Sequence, residues 1–493
     1  MYRFHPARNA GFAVGVASLG PARRRYHVAM IDVKDLRNDP DKYRRAAAAK
    51  RIEVDIDRLL ALDAELREAM TRQQQLTAEK NRIGKEIGQL AGRLKKAGDD
   101  EKARLQQQMK KLQQRPHELK RQEQALADEI ARREATRDEL LLAVPMAPDA
   151  HVPDGESEDD NVELRRWCPD WFDPEKPFKD NKGFEPATHI ELGERLGLFD
   201  TARGVKMAGA RSYVLTGDGM LLHQAVLRLA FDTMIHEHGF TPVSVPVLVR
   251  DEMMFGTGFF PGERENTYEI RESERGGGHD LYLTGTGEVG LMGFHQGEIL
   301  EADDLPRRYT TISPCFRREA GAAGRDTAGL YRIHQFDKVE QVVLCEADAE
   351  VSTRWHQEMV GYVEALLRRL EIPHRVLQIC TGDMGAAKVD QVDIDSWMPS
   401  RGEPGPDGRA LGAWGETHSA SKLHDYQCRR LNLRYKERET GHNVHCHSLN
   451  NTVIASPRIL IPILELYQND AGSVTVPDAL RPYMHGRERI EAR

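Results

Sequence analysis

Between Asp55 and Ala143, apolar side chains return at alternating steps of three and four, at Leu59, Leu62 and Leu66 and again at Ile83, Ile87, Leu90 and Leu94. The intervening residues are mostly Glu, Gln, Lys, Arg and Ala, so the spacing predicts a coiled-coil seam on a long helix. The seam breaks in KKAGDDEK (95–102), where Gly98 and two aspartates supply a stop and a new start. It resumes at Leu105, Met109, Leu112, Leu119, Leu126 and Ile130, which predicts two helices folded back as an antiparallel hairpin. Such an arm projects about 60 Å at 1.5 Å rise per residue. Pro116 is expected to kink its second helix or to begin a new segment.

A Pro-, Gly- and acid-rich stretch, VPMAPDAHVPDGESEDDN (144–161), ends the arm. Beyond it, strand-like runs at 241–249 (TPVSVPVLV), 279–285 (HDLYLTG), 341–345 (QVVLC) and 452–456 (TVIAS) mix with helical patterns at 221–238 and 349–370. Helices are not interposed regularly between strands, so the fold class expected is α+β, with a mostly antiparallel sheet flanked by helices. The organisation read from this is an extension at 1–29, the arm at 30–145, a linker at 146–170 and the mixed domain at 171–493. With no P-loop and no GxGxxG, a Walker or Rossmann nucleotide site is not expected.

Charge narrows the partners. The 493 residues carry a net charge of −8, which excludes a uniformly basic nucleic-acid coat and leaves only local contact. The cations that could make one lie toward the arm tip: Lys95, Lys96, Lys102, Arg104, Lys110, Lys111, Arg115, Lys120 and Arg121. A dimerising or spacer coil would share the same pattern. Six scattered cysteines without a CxxC pair fit reduced thiols in the cytoplasm. The group His442, His445, Cys446 and His447 has no matching second ligand pair, so no metal is expected from cysteines or histidines. No run reaches the roughly 20 apolar residues of a membrane span. Residues 1–29 hold several arginines and no acid, as transit peptides do, but an upstream start with Met30 as the functional beginning is the preferred reading.

The densest chemistry lies at 316–340, FRREAGAAGRDTAGLYRIHQFDKVE. Arg317 precedes small residues that let backbone approach a ligand, and Phe336, Lys338 and Glu340 alternate on the returning run. An arginine fork suits a phosphate and an aromatic face suits a purine, so this hairpin could hold ATP. Glu319 is placed for an amino-purine edge and Glu340 for an ammonium group, whereas a surface hairpin of ion pairs is the plainer alternative. Two further segments favour the ligand: Thr286, Gly287 and Glu288 in LTGTGEV (283–289) offer a hydroxyl, a gap and a carboxylate, and Arg458 follows Pro457 at a strand-to-helix junction.

Together these segments resemble the seryl-tRNA synthetase family from Met30 nearly to the end. MIDVKDLRNDPDKYRR and the arm resemble its tRNA-binding domain; GFTPVSVPVLV (239–249) resembles motif 1 of class II synthetases, the hairpin motif 2, ASPRILIPILELYQ motif 3, and VPDALRPYM (476–484) the C-terminal signature. The resemblance implies a homodimer that activates L-serine with ATP and Mg2+ and charges tRNA(Ser), with tRNA(Sec) a second candidate. It implies that Arg317 clamps the α-phosphate, that Glu319 and Ile333 meet the adenine, and that Phe336 and Arg458 stack on its two faces. Glu416, Thr417, His418 and Ser419 fall on the ATP-binding segment, with Glu416 the candidate Mg2+ ligand. Thr286, Gly287, Glu288, Arg317, Glu340, Asn450 and Thr452 fall on the serine site, and Lys338 lies near the reaction centre.

The chain departs from the family pattern at ETHSASKLHDYQCRR (416–430), where Thr417, His418, Lys422 and Leu423 replace the usual residues, and at Asn451, where glycine is frequent. The insertion-like SRGEPGPDGRALGA (400–413) is expected to be a surface turn. Two other readings compete: an amino-acid:carrier-protein ligase of the same catalytic fold, and a non-catalytic tRNA-binding relative. The arm argues against the first, and the retained Arg317, Glu319, Glu340 and Arg458 against the second.

Overall fold

The computed structural model describes residues 31–272, 274, 279–321, 328–404 and 410–492. The extension at 1–29, and Ala322, Ala323 and Gly324 of the hairpin loop, lie outside the described residues, as do 405–409 of the expected surface turn.

Two short helices come first among the described residues, α1 (Val33–Asn38) and α2 (Pro40–Ala49), each started by an aspartate whose side chain accepts from backbone N–H of the first turn. The arm follows as α3 (Ile56–Leu94) and α4 (Asp99–Ala143), with the turn where Gly98 stands. At 1.5 Å per residue α3 is about 58 Å long. Leu59, Leu62, Leu66, Leu119 and Ile130 of the seam are buried. Ion pairs Glu79–Arg115, Lys80–Glu123 and Glu65–Arg133 cross between the helices. At the root, Ile31, Leu36 and Tyr43 pack with Ile56, Leu59, Leu141 and Val144. Pro116 does not begin a new segment: α4 runs through it. The missing N–H costs one ladder bond, and the adjacent Arg115 is paired to Glu79 of α3.

The mixed domain is built on an eight-stranded sheet: β1 (Val162–Trp167), β2 (Thr241–Pro242), β3 (Arg307–Phe316), β4 (Gln335–Cys345), β5 (His374–Gln378), β6 (Asp390–Met398), β7 (Ala413–His424) and β8 (His447–Ser456). The spatial order is β1-β5-β6-β7-β8-β4-β3-β2, antiparallel except for β2 beside β3. Helices α5 (Gly217–His236) and α6 (Ala349–Arg369) cover one face, where Val339 and Val343 of β4 and Leu449 and Val453 of β8 join their core. The alternate side chains of β4, including Phe336, Lys338 and Glu340, turn to the opposite face.

Two stretches differ from expectation. Residues 162–167, read as linker, form the edge strand β1 against β5. The run 241–249 is not one strand: Thr241–Pro242 joins the large sheet, whereas Leu248–Arg250 pairs with Leu281–Leu283 in a separate three-stranded sheet. Pro242 and Pro246 lack the N–H that a continuous ladder requires.

Candidate active site

The hairpin of β3 and β4 is the frame of the site. Its register sets Phe336 opposite Cys315, Lys338 opposite Ser313 and Glu340 opposite Thr311, while β8 brings Ala455 beside Lys338 and Thr452 beside Glu340. Over this face opens a cleft of about 560 Å³. Arg317, Glu319, Lys338, Glu340, Thr286, Glu288, Glu416, Ser419, Asn450, Thr452 and Arg458 all line it. Ile333, Phe336 and Thr417 line an adjoining recess that shares Arg317, Glu416 and Arg458.

One end of the cleft is a buried polar cluster. Lys338 Nζ donates to Thr286 Oγ1 at 2.8 Å, Thr286 Oγ1 donates to Glu340 Oε2 at 2.6 Å, and Lys338 forms an ion pair with Glu340. Beside it Glu288 Oε1 accepts from Gln427 Nε2 at 2.6 Å and from Asn450 Nδ2 at 2.7 Å. Burial, and then the Glu340 carboxylate, push the Glu288 carboxyl up to about 7. Two crowded carboxylates facing a cavity form a ready seat for a cation. Gly287 does not line the cleft but explains the closeness of the cluster: a Cβ there would lie 2.6 Å from Thr311 Cγ2 and 2.9 Å from Ser313 Oγ.

At the other end stand cations and rings. The Arg317 guanidinium lies 5.4 Å from the Phe336 ring centroid, and Arg317 Nε donates to the Gly285 carbonyl. Glu319 is held at φ +52°, a left-handed conformation unusual for a side chain of this size, and Arg332 Nη1 grips its carboxylate at 2.9 Å. Strain of this kind concentrates at ligand sites. Arg458 lies 4.5 Å over Tyr331 and donates from Nη1 to the Glu416 carbonyl at 3.0 Å.

A third group sits on β6 and β7, where Asp393 faces Ser419 and Asp395 faces Glu416. Burial and the nearby Glu416 push Asp393 up to about 7. Its carboxylate accepts from Gln391 Nε2, which also donates to Ser419 Oγ at 3.3 Å. This donor set, two mutually repelling carboxylates and a hydroxyl, fits a hard divalent cation.

His418 is not brought to the cleft. Along β7 a bulge falls at Thr417, between His418, opposite Ile394, and Glu416, opposite Asp395; it lets Glu416 and Ser419 both line the cleft, while His418 is buried with its Nδ1 2.8 Å from Thr417 Oγ1, and burial pushes its pKa down to about 3. Besides Asp393, Gln391 and Arg332, further contributors were not named as site residues from the sequence. Asn266 braces motif 2 by accepting from Ala320 N and Arg318 N, Tyr331 is sandwiched between Arg401 and Arg458, Gln427 holds Glu288, and Gly385–Lys388 form a wall of the cleft. Only Gln427 carried a visible signal, in the DYQCRR stretch.

Among the described residues no helix is long and apolar enough to cross a membrane, and all six cysteines are unpaired.

An antiparallel sheet carrying a cleft with two arginines, an aromatic ring and a strained glutamate on its motif 2 hairpin defines a class II aminoacyl-tRNA synthetase core, and residues 268–467 match the profile of the tRNA synthetase class II core domain (G, H, P, S and T). Residues 30–146 match the seryl-tRNA synthetase N-terminal domain. The serine--tRNA ligase of Deinococcus radiodurans is 42% identical over 459 residues, covering 93% of this chain and 98% of that protein; the Alcanivorax borkumensis enzyme is 38% identical over 469 residues, covering 94% and 100%. The crystal structure of seryl-tRNA synthetase from Pyrococcus horikoshii complexed with ATP superposes with a TM-score of 0.76 at 33% identity, covering 94% of this chain and 100% of that one. The chain belongs to the seryl-tRNA synthetase family. A carrier-protein ligase is therefore not favoured.

Proposed function

We propose that this protein activates L-serine with ATP and transfers it to the 3′ end of tRNA(Ser). The observation that carries the reading is the shared cleft: phosphate-binding arginines at one end and a buried ammonium-seeking cluster at the other, close enough for one molecule to react with the other. Arg317 holds the α-phosphate, Phe336 and Arg458 enclose the adenine with Ile333 beneath, and Glu319 accepts from its amino edge. Thr286, Glu288 and Glu340 bind the serine ammonium and hydroxyl, with Asn450 and Thr452 closing the pocket. Lys338, fixed by Glu340 and Thr286, adds positive charge beside the reacting phosphate.

The serine carboxylate attacks the α-phosphorus in line, the bond to pyrophosphate breaks, and seryl-adenylate forms. The terminal ribose hydroxyl of the tRNA then attacks the seryl carbonyl and AMP leaves. Neither step requires a strong general base, because positioning and charge neutralisation by the arginines supply the acceleration. Glu416, Ser419 and Asp393 would hold Mg2+, which supplies further neutralisation of the phosphates when bound. The backbone around Thr417 lies on the ATP side, while His418 acts only through the core. A buried acceptor left unpaired rejects alanine, and the walls exclude threonine by size.

Lys95, Lys96, Arg104, Lys110, Lys111, Lys120 and Arg121 are exposed on the arm and suit a phosphate backbone; Arg115 is engaged by Glu79 and Glu118. The same geometry would admit tRNA(Sec), whose serylation belongs to this proposal. Exposed apolar residues Leu248, Phe294 and Ile312, in or beside the motif 1 region, support a homodimer. The test is amino-acid-dependent exchange of pyrophosphate with ATP across all twenty amino acids. Serine alone should respond; a response to another amino acid and not to serine overturns the assignment.

A further inference from the structure

Lys50 ends α2, in the root of the arm, yet its side chain is 4% exposed and reaches across to the mixed domain. Its ammonium donates to the carbonyls of Gly385 at 3.2 Å and Ala386 at 3.3 Å and to that of Lys388. Those carbonyls belong to the segment that walls the cleft. Backbone bonds from the linker pin the same segment from the same side, Met146 N to Ala386 O at 2.9 Å and Asp149 N to Val389 O at 2.8 Å. On the cleft side, Lys388 Nζ donates to Gln391 Oε1 at 2.8 Å, and Gln391 Nε2 reaches the Asp393 carboxylate and Ser419 Oγ. A continuous run of hydrogen bonds thus joins the arm root to the carboxylate group beside Glu416.

Burying an ammonium is costly, and three carbonyls satisfy its three N–H donors without neutralising its charge. Burial and the nearby Lys388 ammonium pull the Lys50 pKa down to about 7. A leucine or methionine would fill the same space at less cost to folding if packing were all the position required.

We propose that Lys50 is a positioning residue for serine activation: by gripping the carbonyls of residues 385–388 it fixes the cleft wall, and through Lys388 and Gln391 the carboxylates at the ATP end. The inference rests on the reading given under the proposed function. It makes the arm root, which carries no group in the cleft, part of the activation step, while the distal arm serves the tRNA alone.

The test compares the unaltered chain with Lys50→Met, Lys50→Arg and Gln391→Leu in serine-dependent pyrophosphate exchange, with hydrogen exchange of the 383–391 amides. Exchange activity of the unaltered chain tests the functional reading separately. Lys50→Met should lower kcat about tenfold, with KM for serine and ATP within about twofold, because a wall loosened by a fraction of an ångström misplaces reactants without removing a contact. Its 383–391 amides should exchange faster than those of the unaltered chain. Lys50→Arg, which still offers several donors to carbonyls, should restore most of both. Gln391→Leu, which leaves Lys50 and the root intact, should reproduce the fall in kcat even if Lys50→Met folds poorly. The inference is overturned if the unaltered chain is active and either Lys50→Met or Gln391→Leu, folded, matches its kcat.

Discussion

Replacing Glu288 by glutamine removes a carboxyl that burial and Glu340 hold near 7 rather than 4.5, while keeping an oxygen to accept from Gln427 and Asn450. The sign follows from proton counting. Between about 4.5 and 7 the unfolded chain has released this proton and the folded chain still holds it, so the native protein loses stability as pH rises through that window. The difference in pKa corresponds to about 3 kcal/mol, at 1.36 kcal/mol per pKa unit. For a mixed domain of this size, unfolding with about 2.1 cal/mol/K per residue converts that into a Tm difference of about 4 °C. Scanning calorimetry of both proteins without ligand, at pH 5 and pH 8, should show the Glu288→Gln advantage in Tm growing by most of that amount at the higher pH. A constant gap would refute the reasoning, for it would mean that Glu288 is ionised in the folded protein at pH 5. Saturating serine should shrink the gap at pH 8, because its ammonium stabilises the carboxylate that glutamine cannot supply.

Arg317→Ala should reduce serine-dependent exchange by roughly a thousandfold while moving Tm by less than about 1 °C, since the side chain is exposed and an exposed cation contributes little to stability. Gly287→Ala should cost about 1–3 kcal/mol of stability by overpacking against Thr311 and Ser313 and should raise KM for serine, read by calorimetry and by serine titration. Excising residues 76–121 and bridging with a short glycine linker, which spares the root cluster and Lys50, should leave exchange within about twofold and abolish tRNA charging. Charging that survived this deletion would remove the role given to the arm.

The arm and the motif 2 hairpin were legible in the sequence because each is written in a local period, 3.5 residues for the seam from Leu59 to Ile130 and two for Phe336, Lys338 and Glu340. What was not legible depends on long-range partners. VELRRW (162–167) is short, polar and exposed along much of its length, and becomes strand only because β5 offers an edge. The run 241–249 alternates like one strand but is divided between two sheets by its prolines and by the separate pairing of Leu248–Arg250. The family resemblance of ETHSASK groups His418 with Thr417 and Ser419, but the bulge at Thr417 shifts the alternation of β7, so that Glu416 and Ser419 line the cleft and His418 is buried away from it. Tyr331 between Arg401 and Arg458, and Lys50 against residues 385–388, bring together segments from 70 to 338 positions apart, which no local pattern encodes. Family likeness supplied the order of the motifs; the fold showed which of their side chains face one cavity.

The central claim is that cleft and arm act together on one tRNA family, and charging tests it most directly. Purified protein is incubated with total tRNA, ATP, Mg2+ and labelled serine, and the acylated tRNAs are sequenced. The account predicts serine on tRNA(Ser), with tRNA(Sec) the only further acceptor. Serine-dependent pyrophosphate exchange without any label reaching tRNA, or label on tRNAs of other families, would contradict it.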